Sequence, residues 1–133
     1  MMRILQASVI TALAAAQLLL AQPAIAGDDR WVRVSASEDG TGEHWVDTKS
    51  ISRKGDVVSY IERAKINDEE SGWDTVIAAA QINCETSQIH PVQLKITYTS
   101  GKTETVDNPD PEDWNEIPSG SVGSDIRDFV CKA

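Results

Sequence analysis

The chain has 133 residues, with 12 Lys and Arg against 21 Asp and Glu, for a formal charge of −9. That length suits one domain rather than two, and the lack of any basic block excludes nucleic acid as a partner, because phosphate contacts need clustered cations. Two cysteines outside any Cys-x-x-Cys pair exclude a four-thiol zinc site and thioredoxin-like redox chemistry.

Met1-Met2-Arg3 is a short positive start, followed by an uncharged, helix-prone apolar run over residues 4–21. This is the pattern of an export signal. Pro23 ends the run, and Ala24-Ile25-Ala26 sets small side chains where a signal peptidase binds, so residues 1–26 are expected to be cleaved and 27–133 to form the domain. A retained membrane anchor is the rival reading. Gln6, Ser8, Thr11 and Gln17 interrupt it, and the run barely reaches the ~20 apolar residues that a span needs. No cysteine lies near the cleavage point, so no lipid anchor and no membrane span are expected after cleavage, and the product should be periplasmic or secreted. Cleavage removes Arg3 and no acid, moving the formal charge to −10. A domain of this size buries roughly 65% of its unfolded surface, which is marginal for a core poor in aromatics. Export delivers it to a compartment where a disulfide persists. Cys84 and Cys131 are the one available pair, and closing their loop is worth about 4 kcal/mol on loop-entropy grounds.

Beyond Gly27, Trp31 to Ala36 reads as a short strand, Glu38 to Gly42 as a turn, and His44 to Asp47 as a second strand. Arg53-Lys54-Gly55-Asp56 is a polar turn. After it, Val58, Tyr60, Ala64 and Ile66 share one face of a strand, with Ser59, Arg63 and Lys65 on the other. From Trp73 to Cys84, period two puts Val76, Ala78, Ala80, Ile82 and Cys84 on one face; the alanines make helix a rival, but Trp, Thr, Val and Ile favour strand. Val92, Leu94, Ile96 and Tyr98 alternate with polar neighbours, predicting a strand with one core face and one wet face, and Ser100-Gly101-Lys102 turns the chain into Thr103 to Val106. Asp107 to Pro118 carries three prolines and five acids, which argues against regular structure, with Trp114 and Ile117 pinning the segment down. Ser119 or Ser121 caps a final helix striped by Val122, Ile126, Phe129 and Val130, so Cys131 must bridge from the helix edge or beyond its last turn. The expected fold class is α+β: a single antiparallel sheet of about six strands, one C-terminal helix packed on it and one disulfide.

Signals for chemistry are sparse. His44 and His90 fall in different strands, without the spacing that brings two imidazoles to one metal. The acids Asp107, Asp110, Glu112 and Asp113 are interrupted by Pro109 and Pro111, which is the pattern of a solvated loop rather than a calcium loop. There is no nucleophile elbow and no glycine-rich phosphate loop, so no catalytic residue, metal or cofactor is assigned and the protein is expected not to be an enzyme. Lys54-Gly55-Asp56 is a basic-Gly-acid tripeptide of the kind cell-surface integrins read. Trp31, Trp45, Trp73 and Trp114 either fill the core or, where they face solvent, anchor a partner. The candidate partner-binding residues are therefore Trp45, Arg53, Lys54, Trp73 and Trp114.

Several short motifs in order resemble the surface-adhesin protein E family: Trp31-Val-Arg-Val, Trp45-Val46-Asp47 followed by Ser50-Ile51-Ser52-Arg53-Lys54-Gly55, Ile82-Asn83-Cys84, Trp114-Asn115-Glu116-Ile117-Pro118, and a terminal Val130-Cys131. Their order runs from Trp31 to Cys131. The resemblance implies an antiparallel sheet with a packed helix, a Cys84–Cys131 bridge, and binding of host extracellular-matrix proteins. The leading expectation is thus an exported, non-enzymatic module with a protein partner, either a host matrix protein or an envelope protein. The alternatives are a periplasmic structural or envelope-stress protein, and a periplasmic haem or small-ligand binder using His44 or His90.

Overall fold

In the computed structural model, residues 30–36 and 42–133 are described. The expected signal segment, and residues 38–41 of the expected turn, lie outside them. The elements are β1 (Trp31–Ala36), β2 (Glu43–Asp47), a 3-10 turn (Thr48–Ser50), β3 (Ser52–Lys54), β4 (Val57–Lys65), β5 (Trp73–Asn83), β6 (Gln88–Tyr98), β7 (Thr103–Asp107), β8 (Asn115–Glu116) and α1 (Val122–Val130). Every pairing is antiparallel, in the order β1-β2-β4-β5-β6-β7, with β3 added to β4 and β8 to β6. The expected α+β architecture is what forms. Among the described residues no helix is long and apolar enough to cross a membrane.

Residues directly opposite in a ladder point to the same side of the sheet, so the register sorts the two faces. Val58 opposes Ile82, and Tyr60 opposes Ala80. With Val46 they form the inner face on which Ile117, Ile126 and Val130 pack, all of them buried. The expected helix stripe is correct: Ile126 and Val130 are buried, while Val122 and Phe129 pack at the margin. Ser121 is the N-cap, and its hydroxyl accepts from the Ser124 amide at 3.2 Å. Cys131 is the C-cap, just past the last turn, and bonds Cys84 across a Cα separation of 5.9 Å. The sulfur bridge therefore fastens the end of α1 to the end of β5. Arg53 donates to the Cys131 carbonyl at 3.1 Å and to the Gly55 carbonyl at 2.9 Å, tying the β3–β4 hairpin to the same helix end. Gly55, at φ +62°, lets that hairpin turn tightly.

Three expectations need correction. Arg53 and Lys54 belong to a short strand, β3, because Ser52–Lys54 pairs with Val57–Ser59 across the Gly55-Asp56 turn. Asn115–Glu116, within the segment read as irregular, pairs with Gln88–Ile89. β6 starts at Gln88 rather than Val92, and its inward alternation fails at Val92, which is 39% exposed. The cause is a bulge: Ala79 opposes Gln93 while Ala80 opposes Pro91, leaving Val92 without an opposite residue. Proline has no amide to donate, so a bulge is where a strand tolerates it. On the other side of the same break, Asn108 donates from its backbone to the Val92 carbonyl and from its side chain to the Pro91 carbonyl.

Candidate functional site

The candidate residues do not converge. Lys54 is exposed at the hairpin tip, while the Arg53 guanidinium is engaged by two backbone carbonyls. Trp73 is half-buried at the start of β5. Trp114 stacks on His90 with centroids 5.2 Å apart, and His90 Nδ1 lies 2.9 Å from the Asp113 carbonyl. Together with Asn108, which donates to the Asp113 carboxylate at 3.0 Å, this stack holds the acidic segment on β6. As expected, Trp114 and Ile117 are the pins. His44 Nδ1 lies 3.3 Å from Glu62 on β4. By register His44 belongs to the inner face with Ala64, and His90 to the outer face with Gln81, so the two imidazoles point to opposite sides of the sheet.

Trp45 is the exception, because the sheet builds a neighbourhood around it. Arg33 opposes Trp45, Trp45 opposes Arg63, Arg63 opposes Ile77, Ile77 opposes Lys95, and Lys95 opposes Thr105. This is one row across six strands of the outer face. Within it, the Arg63 guanidinium carbon sits 4.7 Å from the Trp31 ring centroid and 4.9 Å from that of Trp45, a double cation–π contact. Trp45, Arg63, Lys65 and Thr75 line a shallow cleft of ≈ 270 Å³. Lys65 is held by Asp74 at 3.2 Å and the Thr75 hydroxyl donates to Asp74 at 3.0 Å. Those two contacts, the hydroxyl first, hold the Asp74 carboxyl below the usual carboxylate range. Arg33 reaches Glu43 at 3.8 Å. Arg63 makes no hydrogen bond or ion pair among the described residues; its planar group is positioned by the two indoles.

The inner face is different in kind. Tyr60 is 2% exposed and its hydroxyl has no hydrogen-bond partner among the described residues. Burial, with the Glu62 charge adding to it, pushes that phenol well above its ordinary value. A neutral, sealed tyrosine there belongs to packing.

The profile of the family described as surface-adhesin protein E matches residues 31–132, every described strand and the helix included. The chain belongs to the surface-adhesin protein E family. Two solved structures of Haemophilus influenzae protein E are similar in fold. Crystal form II aligns with a TM-score of 0.54, covering 78% of this chain and 88% of that one, and the selenomethionine form aligns at 0.53, covering 78% and 87%. Identity to both is 9%, so the likeness is one of fold. Among curated proteins no sequence match is found. In the sequence Arg63 looks like any polar residue on the wet side of a strand. Its signal was the recurrence of Trp31, Trp45 and Arg63 on the outer face of three paired strands, which becomes visible only once the register is known.

Proposed function

We propose that this member of the adhesin E family is exported by cleavage after Ala26 and acts outside the cytoplasm as a non-enzymatic adhesin for a host extracellular-matrix protein. The observation that carries the reading is the family match over residues 31–132, which spans the whole described domain. The outer face supports it, since it presents an indole-flanked arginine and an exposed Ile77 on a rigid sheet, the aromatic and arginine chemistry that dominates protein interfaces. The non-enzymatic part draws support from the histidines, which point to opposite sides of the sheet, one engaged with Glu62 and the other stacked on Trp114.

The test is retention of the protein on immobilised basement-membrane extract at physiological salt, alongside protease digestion of intact cells and of cells with an opened outer membrane. Saturable retention together with digestion on intact cells is expected. Protection until the membrane is opened, with enrichment of envelope proteins in a pull-down, would replace the adhesin reading by a periplasmic role.

A further inference from the structure

We infer that the Trp45–Arg63 cleft on the outer face is a binding site for a carboxylate-bearing sugar ring, of the uronic- or sialic-acid type. The assignment goes beyond the adhesion reading and does not depend on it, because the cleft is intact whichever compartment the domain occupies. It starts from Arg63. A guanidinium held over indole rings satisfies none of its N–H donors there, so they stay available to a second partner. With Trp31 and Trp45 at 4.7 and 4.9 Å and no hydrogen bond or ion pair among the described residues, the guanidinium is held in place with its donors unspent. Its fork matches a carboxylate through two parallel, charge-assisted hydrogen bonds.

The neighbours narrow the class. Lys65 is compensated by Asp74, so of the cleft's two cations Arg63 alone lacks an acidic partner among the described residues. A single anionic group is therefore matched. A densely charged polyanion would meet the field of a chain with formal charge −9. The Trp45 indole lines the cleft beside Arg63 as an apolar wall for the C–H side of a pyranose. Thr75 donates its proton to Asp74 and Lys65 is ion-paired with it, yet the Thr75 oxygen can still accept from a ring hydroxyl and the Lys65 ammonium has further N–H groups to donate. At ≈ 270 Å³ the cleft lies just under the roughly 300–1,000 Å³ of drug-sized sites, so it suits one ring. An acidic peptide is the less suitable occupant, because the cleft sits on the sheet face between β2, β4 and β5, away from the edge strands where an extended backbone would find ladder partners.

The test is an NMR titration of the protein with methyl glucuronide, methyl glucoside, acetate and triglutamate, following the Trp31 and Trp45 indole and Arg63 Nε signals. Methyl glucuronide is expected to move them saturably, with the glucoside and acetate each at least about tenfold weaker, since each lacks one half of the recognition. Arg63→Lys, which keeps the charge but loses the planar fork, is expected to lose about tenfold in affinity while its melting transition confirms the fold. The wild-type titration decides by itself if that variant fails to fold. Equal response to acetate, tighter binding of triglutamate, no saturation by glucuronide, or a folded Arg63→Lys variant with unchanged affinity would each overturn the assignment.

Discussion

The two faces of one sheet divide the work of this protein. The inner face is aliphatic around Tyr60, sealed by α1 and Ile117, and fastened by the Cys84–Cys131 bridge, with the His44–Glu62 contact also on that side. The outer face is a lattice of Trp, Arg, Lys, Thr and Gln whose contacts run sideways between neighbouring strands. Because alternate residues of each strand serve the two faces, both are written into the same segments. Buried packing is concentrated on one side, and the proposed cleft lies on the other.

That division can be broken most forcefully at the staple. Cys84→Ser is expected to cost about 4 kcal/mol, less whatever native strain it relieves, and to lower the melting temperature as much as reduction does. Next comes Ile126→Ala, which opens a cavity where the helix meets the sheet and is expected to cost about 3 kcal/mol by denaturant titration. If it cost no more than an exposed substitution, α1 would not be the element that seals the inner face. Ser121→Ala removes the cap oxygen that accepts the Ser124 amide, for a loss of about 1 kcal/mol in the same titration.

Two smaller effects sharpen the contrast by sign. Tyr60→Phe deletes a buried hydroxyl without a partner among the described residues, so a gain of up to about 1 kcal/mol is expected; a loss comparable to a cavity substitution would show that the hydroxyl is satisfied in solution. On the outer face, the depressed Asp74 carboxyl contributes stability that is present above its unfolded value of about 3.9 and is lost as pH falls through its folded value. Solvent screens it, so Asp74→Asn is expected to give the smallest change of the series at neutral pH and to flatten the acid limb of the stability profile. A shift as large as that of Ile126→Ala would contradict the division between faces.

Legibility followed the range of the interaction involved. The Ser121 cap, the Ile126–Val130 stripe and the β5 alternation are local patterns, and all three were readable. The β6 alternation was readable only as far as Leu94, because the bulge at Pro91–Val92 shifts the face by one residue and is specified by pairing with Ala79 and Ala80. Strands β3 and β8 were missed because three- and two-residue segments carry no period of their own and exist through their partners. Of the candidate binding residues, Trp45 falls in the proposed cleft. Arg53 serves the fold, and Trp114 is stacked on His90.

What the sequence determined by itself was whatever a single segment can decide: which stretches have period two, where the last helix starts, which two thiols could meet, and a motif order that placed the family. What only the tertiary structure decided is which distant residues share a face. No single segment of the chain carries a basic block. Yet Arg33, Arg63 and Lys95, spread over 33–95, are brought into one row by the strand register. Register is a property of whole ladders, set by the burial of the inner face, and a slip of one residue would exchange the two sides. The position of Arg63 beside two tryptophans is therefore a consequence of how the aliphatic residues on the opposite face pack.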